Sequence, residues 1–150
     1  MDSTKNEIIE IEPVVSTTMR LVKYEDLNHH GTLFAGRSTE WFVESGFIAA
    51  TRFLPANNIV CRKIHGMNFT KPVKPGEIVR FDSKIIYVGK SSVITHIKAN
   101  VGNSDASFLS GFITFIHVNQ TTKASAHNLK LKISLKEDEI LHNEALELIK

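Results

Sequence analysis

The rhythm of apolar and polar positions changes twice along the chain. From Val14 to Tyr24, β-branched residues (Val14, Val15, Thr17, Thr18, Val22) mark a strand. A polar turn follows, Glu25-Asp26-Leu27-Asn28-His29-His30-Gly31. From about Ala35 to Phe53 there is no proline, and apolar residues recur at helical spacing. Trp41, Ser45 and Ile48 form one stripe, and Phe42, Gly46, Ala49, Ala50 and Phe53 an adjoining one. A third carries Glu40, Val43, Glu44 and Phe47. Apolar residues most of the way round predict a central helix, buried in its domain and stopped by Pro55 and Asn57-Asn58.

The remainder reads mostly as strand. Ile59–Asn68, Glu77–Tyr87, Ser91–Val101 and Ser107–Val118 are separated by turn residues such as Pro72, Pro75-Gly76 and Gly89-Lys90. Val79, Phe81, Ile85 and Tyr87 alternate with Arg80, Asp82 and Lys84. Val93, Thr95, Ile97, Ala99 and Val101 alternate with Ser92, His96, Lys98 and Asn100. Such alternation predicts one buried and one wet face. Ser107–Val118 is apolar on both faces, as a central strand is. Leu135–Ile149 reads as a short amphipathic helix with Ile140, Leu141, Ala145, Leu148 and Ile149 on its apolar side. One helix followed by hairpin-linked strands is an α+β arrangement with a mostly antiparallel sheet.

Composition narrows the function classes. At 150 residues the chain has the length of one ordinary domain with a real core. Eighteen Lys and Arg against 16 Asp and Glu leave a net charge of +2, so no strong field favours nucleic acid or a membrane surface. The single cysteine, Cys61, excludes an internal disulfide framework. No Cys/His spacing suits a metal site, the adjacent His29 and His30 included. The acidic start, residues 1–7, lacks the apolar stretch of a signal peptide, and no run approaches a membrane span. The expectation is a soluble, cytoplasmic protein.

Three segments hold candidate chemistry. In Asn28-His29-His30-Gly31-Thr32-Leu33-Phe34-Ala35-Gly36-Arg37, two glycines stand near a helix start. Backbone can approach a ligand there, and first-turn N–H groups can stabilise an oxyanion. Met67–Glu77 is a loop stiffened by Pro72 and Pro75, in which Lys71 and Lys74 offer point charges for phosphate. Val88-Gly89-Lys90-Ser91-Ser92-Val93 is a small, basic, hydroxyl-rich turn suited to a phosphate or a pantetheine-like chain. Each also has a plain reading, as a tight turn, a solvated loop or an ordinary hairpin.

Taken together the segments say more. Asn28-x-x-Gly31-Thr32-Leu33-Phe34-x-Gly36-Arg37, with Trp41 in the helix and Ala49-Ala50-Thr51-Arg52 at its end, resembles the acyl-CoA hydrolase branch of the hotdog-fold thioesterases. Phe69-x-x-Pro72-Val73-x-x-Gly76-Glu77 and Val88-Gly89-x-Ser91-Ser92 match the same family in the same order. The resemblance covers roughly Val14 to Leu129 and implies a single domain, with the short helix over 135–149 beyond it. It implies a five- or six-stranded antiparallel sheet wrapped around the helix. It also implies a homodimer, often assembled further, with sites at the subunit interface. The implied activity is hydrolysis of acyl-CoA to a free acid and CoA, without metal or cofactor beyond the CoA of the substrate.

The resemblance also assigns roles. Backbone N–H groups of the Phe34–Gly36 region would polarise the thioester carbonyl, Asn28 would position water or substrate, and Gly31 and Phe34 would shape the site. Lys71, Lys74, Lys90, Ser91 and Ser92 would hold CoA. The usual carboxylate lies twelve residues after Gly31, where this chain has Val43, which can act as neither base nor nucleophile. Glu40 shares a face with Val43, displaced by ~4.5 Å along the axis, and is the first candidate base. Glu44 is the second. His65 stands where relatives commonly carry an acid and reads either as a proton-transfer aid or as a satisfied strand histidine. The alternative to an enzyme is a hotdog protein that binds acyl-CoA as a sensor or carrier without hydrolysing it.

Overall fold

The computed structural model describes residues 7–150; the acidic start, read above as lacking a leader, lies almost wholly outside them. Strand β1 is Ile9–Ile11 and β2 is Ser16–Leu21, followed by a 3₁₀ turn at Tyr24–Asp26. Helix α1 runs Ala35–Thr51, then β3 Ile59–Phe69, β4 Ile78–Val88, β5 Ser92–Val101 and β6 Ser107–His117. Strand β7 is Leu129–Leu131 and helix α2 Lys136–Leu148. Five strands form one antiparallel sheet in the order β2-β4-β5-β6-β3. Its front face packs on α1, the wrapped-helix arrangement of the hotdog fold.

Helix α1 sits close to the sheet because Gly46 has no side chain. A Cβ there would lie 2.9 Å from Thr95 Oγ1 and 3.1 Å from the δ-carbons of both Ile97 and Ile113. Phe42 is fully enclosed, and Trp41 meets Phe81 edge to face at 6.3 Å. Phe81, Ile85, Val93, Ile97, Leu109, Ile113 and Phe115 complete this core from the sheet.

The structure corrects several expectations. The helix is not buried nearly all round: Glu40, Glu44 and Ile48 are exposed, and Val43 and Phe47 only partly covered. The back of the sheet is not simply wet. A β-bulge between Ile85 and Tyr87 shifts the alternation of β4, so Tyr87, expected on the α1 side with Ile85, turns away from α1 beside Ile86. Ile86 joins Ile94 and Phe112 beneath Leu141 and Ala145 of α2. Only that part of the predicted apolar side of α2 is used; Ile140, Leu148 and Ile149 remain exposed. The buried Asp138, at the start of α2, pairs with Lys84 on β4 at 2.5 Å. Strands β1 and β7, not anticipated, pair in parallel through Ile9–Leu129, Glu10–Lys130 and Ile11–Leu131.

Candidate active site

The turn before α1 is built as a miniature hairpin. Phe34 N–H donates to Asp26 O at 2.9 Å and Asn28 N–H to Thr32 O at 2.7 Å, with Leu27 bridging Leu33. Gly31 closes it at φ +79°, a backbone conformation that favours glycine. The Asn28 side chain braces the loop: its Oδ1 accepts the N–H groups of His30 and Thr32 at 2.9 and 3.2 Å. Its Nδ2 donates one hydrogen to Thr32 Oγ1 at 3.1 Å, which leaves the second free. What Asn28 has left to offer the cleft it lines is therefore an N–H donor.

The start of α1 has an unusual cap. Phe34 occupies the N-cap position and has no side-chain oxygen to offer. Its carbonyl accepts the N–H groups of Arg37 and Ser38 at 3.0 and 3.1 Å. The amides of Ala35 and Gly36 find no acceptor among the described residues. They carry the partial positive charge of a helix N-terminus, suited to a developing oxyanion.

The buried carboxylate of Asp26 anchors this region. Its Oδ2 accepts Lys23 N–H at 2.9 Å, and its Oδ1 receives Arg37 Nε at 3.2 Å. Arg37 also reaches Glu40 at 3.3 Å. The guanidinium thus ties the turn to the first turn of the helix.

A cleft of about 350 Å³ opens beside this assembly. It brings the first and second sequence segments together: Asn28, Thr32, Ala35 and Ser38 face Phe69, Thr70 and Lys71. Leu33, Val73 and Phe108 form apolar wall. Ser38, Thr70 and Phe108 were missed from the sequence. Ser38 reads there as a generic helix position, and Phe108 comes from the distant β6, with no local signal.

Other predicted residues lie elsewhere. Gly36, Glu40, Val43 and Phe47, at helical spacing, share the outward side of α1 rather than the cleft wall. Glu44 is held by Arg20 of β2 at 2.6 Å, and that arginine also lies over the Trp41 ring. Lys74 is exposed outside the cleft, with its backbone N–H on Glu77 Oε1. His65 is buried on the α2 side of the sheet, its Nε2 2.8 Å from Thr114 Oγ1. Desolvation and then the charge of Lys63 hold it below the ordinary histidine value. Burial and a hydrogen-bonded ring nitrogen are what the strand-histidine reading expects.

The third segment stands apart. Ser91 O accepts His117 N–H at the start of the β3–β6 ladder, whereas the cleft lies at its other end, by Phe69 and Phe108. Eleven residues of β3 separate the two, about 35 Å of extended chain. Within one protomer Lys90, Ser91 and Ser92 do not meet Asn28 or Lys71.

Among the described residues no group of His, Cys, Asp and Glu could hold a metal, and no helix is long and apolar enough to cross a membrane. No curated protein matches the chain. Among solved structures it is similar to an acyl-CoA hydrolase from Bacillus cereus, with TM-score 0.82 and 20% identity over 90% of this chain and 84% of that one. An acyl-CoA hydrolase from Staphylococcus aureus, in complex with butyryl-CoA, CoA and CoA disulfide, gives 0.79 and 20% over 90% and 81%. A hexameric thioesterase from Yersinia pestis gives 0.66 and 25% over 73% and 91%. The family description of the thioesterase superfamily matches residues 30–104, half of the sequence, and the chain belongs to that superfamily.

Proposed function

We propose that the protein hydrolyses acyl-CoA thioesters to a free acid and CoA, at a site completed by a second copy of the chain. One observation carries this: the cleft joins the uncapped start of α1, the Asn28 amide and the Lys71 loop. The similar S. aureus and B. cereus proteins are acyl-CoA hydrolases, which supports the reading.

The chemistry follows from the groups present. Ala35 and Gly36 N–H receive the thioester oxygen as it gains charge. Glu40 takes a proton from water while the water oxygen attacks the carbonyl carbon. The tetrahedral intermediate collapses, the C–S bond breaks, and the proton passes from Glu40 to the departing CoA thiolate. Glu40 is preferred over Glu44 because it shares the outward side of α1 with Gly36 and Val43. Glu44 is held by Arg20 at 2.6 Å, more closely than Glu40 is by Arg37 at 3.3 Å.

The sheet supports a second copy. β3 is an edge strand of 11 residues with Val60, Ile64 and Phe69 exposed, a template for strand pairing. Two-fold antiparallel pairing of β3 with its counterpart sets the beginning of one strand beside the end of the other. That brings the partner's Lys90–Ser92 turn toward the cleft.

Incubation with acyl-CoA substrates of short to long chain, monitoring free thiol, tests the activity; no release from any member refutes it. Mixing tests the shared site. Glu40→Gln and Lys90→Ala proteins, each impaired alone, are co-refolded in equal amounts. Half the dimers are then mixed, each with one intact site, so about a quarter of wild-type activity returns. No recovery above the separate variants rules out a site that takes Glu40 and Lys90 from different chains.

A further inference from the structure

The Lys90–Ser92 turn is fastened from behind by two histidines that the sequence reading did not single out. All three of its carbonyls are engaged. Lys90 O accepts the backbone N–H of His127 at 3.0 Å, and Ser91 O accepts the backbone N–H of His117 at 2.6 Å. Ser92 O accepts Gly89 N–H and also lies 2.9 Å from His127 Nε2. His127 Nδ1 accepts Leu129 N–H at 3.1 Å, at the first residue of β7. Because Nδ1 is an acceptor, Nε2 carries the hydrogen, and the ring donates to Ser92 O as the neutral tautomer. His117 is fixed in its turn, its Nδ1 2.8 Å from Ser125 O.

The consequence is an oriented turn. With its carbonyls drawn into the body of the protein, the Lys90 ammonium and the Ser91 and Ser92 hydroxyls are not used to hold it. Gly89 is needed for the same geometry: a Cβ there would stand 2.5 Å from Ser92 Oγ. A phosphate-bearing ligand needs donors facing it and acceptors turned away, and this turn has that polarity.

We propose that His127 is a positioning residue, which through its Nε2–H bond to Ser92 O presents the Lys90–Ser92 turn to the phosphates of a CoA-linked substrate. This rests on the acyl-CoA reading above and assigns a task to the segment carrying β7. His127 touches neither the thioester nor the reacting water. Its influence falls on recognition of the nucleotide half of the substrate.

Two substitutions isolate the bond. In His127→Gln the side-chain amide reaches the level of Nε2 and keeps a donor toward Ser92 O. In His127→Asn the amide stops at the level of Nδ1 and loses it. Both are polar, of similar size, and checked for folding by thermal melting. His127→Asn is expected to raise KM for acyl-CoA about tenfold with kcat within twofold, and His127→Gln to restore KM to within threefold of wild type. For the matching acyl-pantetheine, which lacks the nucleotide, both variants stay within twofold of wild type. Equal KM values for the two variants, or equal losses on both substrates, overturn the proposal. Calorimetric titration with CoA alone separates it from the hydrolysis reading. A protein that hydrolyses nothing but binds CoA more weakly as His127→Asn than as His127→Gln supports the positioning role. Wild-type protein that does not bind CoA refutes it.

Discussion

Acid should destabilise this fold through His96, and the size of the effect follows from its surroundings. The ring lies on β5 against Phe112, with centroids 4.9 Å apart, beneath α2. Desolvation first, then the charges of Lys84 and Lys98, lower it from 6.5 to about 4. Asp82 and Glu137 line the same pocket, and Asp138 is paired with Lys84. The folded state therefore binds fewer protons here than the unfolded chain. The stabilising term is complete above pH 6.5 and is lost as the pH falls towards about 4. At roughly 1.4 kcal/mol per pH unit the whole window is worth about 3 kcal/mol, of which about 2 is gone by pH 5. Urea denaturation at pH 7, 6, 5 and 4.5 measures it, with His96→Gln as the non-titrating control. The carboxylates titrate in both proteins, so only the difference between the two slopes reports His96. Wild type should lose about 2 kcal/mol more than the variant between pH 7 and 5. Parallel stability curves would refute the reasoning.

Other substitutions test the helix and the turn. Gly46→Ala drives a methyl group into Thr95, Ile97 and Ile113. The strain, roughly 1–3 kcal/mol, outweighs the ~1 kcal/mol gain in helix propensity, so the melting temperature falls. An unchanged or higher value contradicts the close approach of α1. Arg37→Met leaves the buried Asp26 carboxylate short of its partner and should cost about 1–3 kcal/mol in denaturant titration. Asp26→Asn combined with it should recover part of that loss, and strict additivity would count against the pairing. Glu40→Gln should lower kcat about 10²-fold or more in the thiol-release assay, while Glu44→Gln stays within a few-fold. The reverse order would transfer the base to Glu44.

How far the sequence could be read depended on the range of the interaction. Helix α1 was legible because its 3.6-residue period and its stop at Pro55 are local. The cleft was half legible for the same reason: Asn28, Thr32 and Ala35 lie within eight residues of one another. Phe108 joins them only after β6 has found its place beside β3, whereas Ser38, local to the helix start, carries no chemical signal of its own. Parity misled the reading of β4. Tyr87 was placed beside Ile85 by strict alternation, but the bulge between them sends Tyr87 to the opposite face with Ile86, where α2 docks. No two-residue period carries that information, because a bulge is set by the partner strand. Strands β1 and β7 are three residues each, and their pairing joins Ile9 to Leu129. Neither is long enough to show alternation, and a parallel pair of such separation leaves no hairpin signal.

The apparent scatter of the predicted site has a related cause. Asn28 and Lys71 meet on one chain, while Lys90, Ser91 and Ser92 stand at the far end of the same ladder, about 35 Å of extended strand away. A sequence lists the residues of a shared site as neighbours in one chain and is silent on which copy supplies each. In the dimer proposed above, the sheet would answer that question by geometry. An 11-residue edge strand with free pairing groups and exposed Val60, Ile64 and Phe69 is costly to leave open. Two-fold pairing along that edge satisfies it and reverses the far end of one chain onto the near end of the other. The same edge therefore supplies both the drive for association and the register that would unite the three segments.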